Sequence, residues 1–134
     1  MSVRIGLSFS IGLFLLSACS QQTDELREFA ETYLEFHDDQ NIDGLIGLIA
    51  IKQGGPEVFE KIRFAFYEET QWPLQDIQVE PLTDSEKKVL QPSLPGEPAW
   101  RVFIVLDTED RFTSEWIAGY VNGQLKLLLP GEKE

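Results

Sequence analysis

The chain has 134 residues, which is the size of a single domain, and its 43% apolar and 25% charged residues indicate a globular core. Its 23 acidic and 11 basic residues give a net charge of −12, which excludes a nucleic-acid partner because such a surface repels phosphates. A single cysteine excludes an internal disulfide and a cysteine-based zinc site.

The N-terminus has the pattern of an export signal. A short basic start precedes an uncharged apolar run over residues 5–18, which is shorter than the about 20 residues that span a bilayer. The run ends in Leu16-Ser17-Ala18-Cys19, which resembles the lipobox of bacterial lipoproteins. This resemblance implies cleavage before Cys19 and a diacylglycerol thioether on its sulfur. The alternative is an ordinary secretory signal with a chance cysteine at the cleavage site.

Lipidation would divide the chain into a signal peptide (1–18), a lipidated tether (19–23) and one α+β domain (24–134). We therefore expect the membrane to be a partner through the lipid on Cys19, and the acidic domain to stand off from anionic lipids. In a Gram-negative host, Ser20 resembles the residue that sorts lipoproteins to the outer membrane. The expected location is then the periplasmic side of that membrane.

Helical signals fill the first half of the domain. Apolar residues recur at helical spacing over residues 24–38 after Thr23, a good N-cap. Asp43 can cap a short second helix that includes Leu48 and Ile49. Pro56 suits the first position of a third helix, which we predict to end at Glu69.

Strand signals fill the second half. We predict strands over residues 74–82, 100–107, 112–121 and 124–129, with a proline-rich loop over 83–97. Asn122-Gly123 is typical of a type I′ hairpin turn. The predicted fold class is therefore α+β, with N-terminal helices packed on a curled antiparallel sheet.

The hairpin register sorts the strand residues by face. Pairing Asp107 with Phe112 places Phe103 and Trp116 on a core face that the helices cover. The opposite face is too apolar for contact with water alone, and we predict that it is an interaction face for a second copy or an envelope partner protein. Its residues are Trp100, Val102, Ile104, Leu106, Ile117 and Val121.

Two segments resemble the cystatin-like and nuclear-transport-factor-2-like superfamily, in particular its small bacterial lipoproteins. They are residues 43–48, which follow an acidic turn, and the terminal hairpin over residues 120–127, where Leu125 replaces the tryptophan that is frequent in that family. The resemblance implies helices that cover a curled sheet. Larger members place a strand pair between their second and third helices, for which this chain has little room.

The candidate site residues are few. Residues 39–44 resemble the start of an EF-hand loop, but Ala50 stands where the bidentate Glu belongs, so we predict no calcium site. His37 is the only histidine; it could be a general base beside Asp38 or Asp39, or a partly buried residue at a helix end. With Tyr33, Tyr67 and Trp72 it could line a pocket, although aromatic residues at helical spacing are usually core. No catalytic motif, metal site or cofactor is predicted.

Two classes of function remain. The first is a non-enzymatic envelope lipoprotein that binds a partner protein or itself through the apolar sheet face. The second is a small-molecule binder or enzyme with a pocket between helices and sheet, and a buried ionisable group in such a pocket would favour it.

Overall fold

The computed structural model describes residues 7–9, 20–110 and 112–131. The predicted lipobox from Leu16 to Cys19 lies outside these residues. The described helices are α1 (Ser20–Asp38), α2 (Ile42–Ile46), α3 (Pro56–Glu69) and α4 (Asp84–Leu90), and the strands are β1 (Leu7–Phe9), β2 (Ile49–Gln53), β3 (Leu74–Pro81), β4 (Glu97–Leu106), β5 (Thr113–Val121) and β6 (Gln124–Gly131). None of these helices is long and apolar enough to cross a membrane.

The described strands form one mixed sheet in the order β1-β3-β4-β5-β6-β2. Strands β3 to β6 pair antiparallel, while β1 pairs parallel with β3 and β2 pairs parallel with β6. Three of the helices precede the antiparallel strands in the chain. The predicted α+β class is confirmed.

Helix α1 presents one buried stripe to the sheet and the other helices. Leu26, Ala30, Tyr33 and His37 are each at most 2% exposed, at a spacing that places them on one side of a helix. The helix begins at Ser20, four residues before the predicted start at residue 24, and it ends at Asp38 as predicted. The lipidated tether over residues 19–23 stays a prediction.

The short helix α2 is capped differently from the prediction. The side chain of Asn41, not that of Asp43, accepts a hydrogen bond from the backbone N–H of Gly44 at 3.0 Å. Asp43 instead forms an exposed ion pair with Arg63 at 2.7 Å. The predicted bounds of α3, from Pro56 to Glu69, are confirmed.

Two elements differ from the sequence-based prediction. Residues 49–53, partly assigned to the second helix, form strand β2, which pairs with β6. The predicted loop over residues 83–97 contains α4, whose capping box joins Thr83 and Glu86 through reciprocal side-chain-to-backbone bonds of 3.0 and 3.1 Å. The Thr-x-x-Glu spacing of Thr83 and Glu86 is a local signal for a helix start that the loop prediction missed.

The predicted register between β4 and β5 is wrong by one residue. Val102 pairs with Trp116 and Ile104 with Ser114, because the connecting loop is one residue longer than a symmetric four-residue turn. A shift of one residue moves every side chain of a strand to the other face. The register of β5 and β6, with Val121 opposite Gln124, is confirmed.

This shift overturns the predicted interaction face. Four of its members lie in the hydrophobic core at no more than 5% exposure: Trp100, Val102, Ile104 and Leu106. Ile117 and Val121 lie on the opposite face and are half-buried. That outer face also carries Arg101, which forms ion pairs with Glu80, Glu86 and Glu115 at 3.5, 2.6 and 3.4 Å.

Candidate binding site

A cleft of about 460 Å³ opens between the C-terminal end of α3 and the inner face of β4 and β5. Its wall from the helix side is formed by Ala65, Glu68, Glu69 and Trp72, and its wall from the sheet side by Leu106, Thr108, Phe112, Ser114 and Trp116. The volume lies within the about 300–1,000 Å³ of typical small-molecule sites.

Glu69 is the buried ionisable group of this cleft. Its side chain belongs to the buried stripe of α3, with Val58, Ile62 and Phe66, and the residue is only 8% exposed. The hydroxyl of Tyr33 donates a hydrogen bond to Glu69 Oε1 at 2.8 Å. Burial raises the pKa of Glu69 from 4.5 to about 7, and the bond from Tyr33 opposes part of that rise.

Tyr33 anchors this carboxyl from α1. The residue is fully buried, and burial together with the adjacent Glu69 raises the pKa of its hydroxyl well above 10.0. Tyr33 therefore stays protonated and acts as a hydrogen-bond donor to Glu69 at all physiological pH values.

His37 extends this buried polar cluster toward Trp72. Its Nε2 lies 2.7 Å from the carbonyl oxygen of Trp72, and since a carbonyl can only accept, the hydrogen must reside on Nε2. The ring stacks with that of Tyr33 at a centroid distance of 6.5 Å. Nδ1 is buried without a hydrogen-bond partner among the described residues. His37 therefore links the end of α1 to Trp72, three residues after the end of α3, at the cleft.

The four predicted pocket residues have different positions. Trp72 lines the cleft and is 50% exposed, while Tyr33 and His37 lie behind it in the core. Tyr67 is 55% exposed on another side of α3, where it lines a separate depression with Ile42, Arg63 and Phe64. The four residues therefore do not line one common cleft: Trp72 is on its wall, Tyr33 and His37 lie behind the wall, and Tyr67 lies elsewhere.

Sequence reasoning missed Glu69, Phe112 and Trp116 as cleft residues. A signal existed for Glu69, because a carboxylate at the helical spacing of Val58, Ile62 and Phe66 falls on the buried stripe of α3. Trp116 stacks on Phe66 with centroids 5.7 Å apart. Its place in the cleft depends on the β4–β5 register, so spacing within one strand could not reveal it.

The polar residues of the segment that resembles an EF-hand loop, over 39–44, have structural roles. Asn41 caps α2 and Asp43 pairs with Arg63. Over the described residues, no group of three or more histidine, cysteine, aspartate or glutamate side chains is arranged to hold a metal ion. The absence of a calcium site stays a prediction.

The cleft can bind a small molecule through apolar contacts and through the buried carboxyl of Glu69. Trp72, Phe112 and Trp116 supply aromatic surface, and the hydroxyls of Thr108 and Ser114 supply polar groups. The Thr108 Oγ1 already accepts a hydrogen bond from the backbone N–H of Phe112 at 2.9 Å, which holds the loop at the mouth of the cleft. Comparisons of the chain with protein-family models, curated proteins and solved structures found no match.

Proposed function

We propose that this protein is a lipid-anchored protein of the bacterial cell envelope whose domain binds a small, largely apolar molecule in the cleft beside Glu69. The observation that carries the proposal is the cleft itself, where a carboxyl that is 8% exposed sits in a mainly aromatic and aliphatic wall. Burial of an acid in an apolar cleft lowers the stability of the fold. Such acids are therefore typical of ligand sites, where binding gives a reason to keep them.

The rim of the cleft supports binding. Trp72 is 50% exposed and Phe112 is 58% exposed. Burial of either ring in the folded chain would be favourable at about 25 cal/mol per Å², so exposed rings at a cleft mouth favour a ligand that covers them. The cleft lies between the helices and the sheet. A pocket at this position is what the small-molecule binder or enzyme considered from the sequence would require.

The anchor is proposed from the lipobox resemblance at Leu16-Ser17-Ala18-Cys19. Helix α1 begins at Ser20, so the lipid would connect almost directly to a helix of 19 residues, about 28 Å long. Glu25 and Glu28 near its start share a groove with Gln124, whereas His37 near its end contacts Trp72 at the cleft. The cleft would therefore open away from the membrane, into the periplasm of a Gram-negative host with the protein on its outer membrane.

Cleavage at Cys19 would also remove β1. Strand β3 would then become an edge of the sheet, and it carries Asp76, Glu80 and Pro81, residue types that protect exposed edges from aggregation. Among side chains that the structure describes, the core cluster begins at Leu26. The mature chain would retain all of these core residues.

The cystatin-like and nuclear-transport-factor-2-like resemblance remains part of the proposal. Helices that precede an antiparallel meander support it. The single strand β2 between α2 and α3 stands where larger members of that superfamily have a strand pair. The cleft beside Glu69 is correspondingly open rather than enclosed.

The proposal can be tested with a variant whose larger side chain fills the cleft. Wild-type protein and an Ala65→Trp variant are purified from their own membranes, and the small molecules that accompany them are extracted and compared by mass spectrometry. We expect a molecule bound to the wild type and absent from Ala65→Trp. Phe64→Trp is the matched control, because Phe64 is 64% exposed and does not line the cleft. Identical extracts from the wild type and Ala65→Trp would contradict binding in the cleft.

The outer side of α3 favours a second candidate function, the binding of a partner protein or a second copy. Phe59, Phe64 and Tyr67 are 44%, 64% and 55% exposed on this helix. Sedimentation of the mature domain, with Phe64→Glu as the disrupting variant and Val89→Glu on α4 as the control, tests it. Concentration-dependent association that Phe64→Glu alone abolishes would support this function, and a monomer at all concentrations would count against self-association.

A further inference from the structure

We infer that the ligand of the Glu69 cleft is an organic cation, an amine that carries an aromatic or bulky apolar group. This inference rests on the proposed function, because it names the chemical class of the molecule that the cleft binds.

The charged groups of the cleft wall are of one sign. Glu68 and Glu69 are both on this wall, and among its described residues none is lysine or arginine. The chain as a whole carries 23 acidic against 11 basic residues, so its field also attracts cations and repels anions. An anionic ligand would meet two carboxyl groups without a cationic partner in the described wall.

The aromatic rings of the wall suit a cation better than a neutral molecule. Trp72, Phe112 and Trp116 line the same cleft as Glu69. The faces of such rings carry partial negative charge and attract an ammonium group within about 6 Å, with tryptophan the strongest of the three ring types. A neutral apolar ligand would gain the same burial of surface but neither the attraction of the ring faces nor that of the Glu69 carboxylate.

The protonation of Glu69 predicts that the affinity for a cationic ligand depends on pH. The titratable groups around this carboxyl are Tyr33 and His37 on α1 and Glu68 on α3, while the strands contribute no charged side chain among the described wall residues. Because burial brings the pKa of Glu69 to about 7, much of it is protonated near neutral pH in the free protein. A bound ammonium group favours the carboxylate, so binding should release a proton and strengthen as pH rises.

The experiment compares three probes of the same size and different charge. Full-length protein in detergent is titrated with benzylamine, benzyl alcohol and benzoate by isothermal titration calorimetry, with the heats of titration into detergent alone subtracted. We expect benzylamine to bind about tenfold more tightly than benzyl alcohol, and benzoate to bind most weakly. The benzylamine affinity should increase severalfold between about pH 6 and about pH 8.

Two variants test whether Glu69 causes the preference for benzylamine. Glu69→Gln keeps an acceptor for the Tyr33 hydroxyl but cannot become anionic, so it should lower the benzylamine affinity about tenfold and abolish its pH dependence. Glu31→Gln, an exposed residue of α1 outside the cleft, removes the same charge from the chain and should leave benzylamine binding unchanged. Urea denaturation of each variant shows that a loss of binding does not reflect unfolding.

The outcomes separate this inference from the proposed function. Equal affinities for benzylamine and benzyl alcohol, both lost in Ala65→Trp, would support a binding cleft and overturn the inference of a cation. A benzylamine affinity that Glu31→Gln lowers as much as Glu69→Gln would also overturn it, since the effect would then be general charge attraction. Failure of all three probes to bind at millimolar concentrations would contradict both the inference and the proposed function.

Discussion

A carboxyl at one position, Glu69, determines both the proposed chemistry of the cleft and part of the stability of the fold. Acids are rarely buried in proteins, because transfer of the charged form from water is unfavourable. Tyr33 offsets some of this cost by its hydrogen bond of 2.8 Å. Burial is the larger effect, because the pKa of Glu69 lies above rather than below 4.5.

We predict that Glu69→Gln stabilises the protein at high pH. The raised pKa of Glu69 means that its contribution to folding is fully present below pH 4.5 and is lost as pH rises through about 7. The full loss corresponds to about 3 kcal/mol of unfolding free energy, from about 1.4 kcal/mol for each pH unit between the two values. Urea denaturation between these pH values should show the wild type weakening relative to Glu69→Gln.

The neighbouring exposed residue supplies the control for this measurement. Glu68→Gln removes a carboxyl one position away in the same helix and should leave the pH dependence close to that of the wild type. If the difference between the wild type and Glu69→Gln stayed constant with pH, Glu69 would have an ordinary pKa in the folded protein.

At the scale of elements, strands β4 and β5 approach each other closely at Gly119, and this approach sets their relative position. The ladder shifts register between Pro98 and Trp100, and Gly119 lies opposite Pro98. A Cβ atom at Gly119 would clash with the carbonyl oxygen of Glu97 and would lie 2.7 Å from Leu128 Cδ1. Only glycine lets the two strands meet here, and the β4–β5 pairing in turn brings Leu106 and Trp116 into one wall of the cleft.

We predict that Gly119→Ala destabilises the protein by about 3 kcal/mol, because the strands must separate to admit the methyl group. Equilibrium urea denaturation measures the change. Gly55→Ala is the matched control: this residue precedes α3 at a negative φ of −102°, and a Cβ atom there has no neighbour within 4 Å. Similar stabilities of the two variants would mean that the strands do not approach as closely as described.

At the scale of the whole molecule, the proposed anchor and the cleft lie at opposite ends of α1. A helix that starts at Ser20 would give the domain little freedom relative to the proposed lipid on the preceding residue. The high acidic charge of the chain would oppose contact with anionic lipid headgroups. With the proposed lipid in place, both features would keep the mouth of the cleft in the aqueous compartment.

We predict that Cys19 carries the lipid and that Cys19→Ala abolishes membrane attachment. Acyl chains contribute about 0.8 kcal/mol for each buried methylene group, so their loss leaves nothing of comparable strength among the described helices. The bacteria are grown with labelled palmitate and fractionated. The wild type should be labelled and lie in the membrane fraction, whereas Cys19→Ala should be unlabelled and lie outside it. Ser17→Ala keeps a small residue in the motif and should retain the label; label in Cys19→Ala, or none in the wild type, would refute the anchor.

The sequence by itself determined the elements whose signals are local. The proline at position 56 and the turn at Asn122-Gly123 act through the backbone of a few residues, so the start of α3 and the β5–β6 register were predictable. The α+β class followed from the order of helical and alternating patterns. The parallel pairing of β2 with β6 was not predictable, because no local signal specifies a partner so distant in the chain.

Only the tertiary structure decided which face of β4 is buried and hence where the site lies. One additional residue in the loop after Leu106 exchanges the two faces of that strand, which turned a predicted interaction surface of Trp100 and its neighbours into core. The cleft likewise needs α3, β4 and β5 to meet, and its acid is buried by residues from a fourth element, α1. Burial is a property of the assembled elements, so the shifted pKa of Glu69 could not be obtained from the sequence around it.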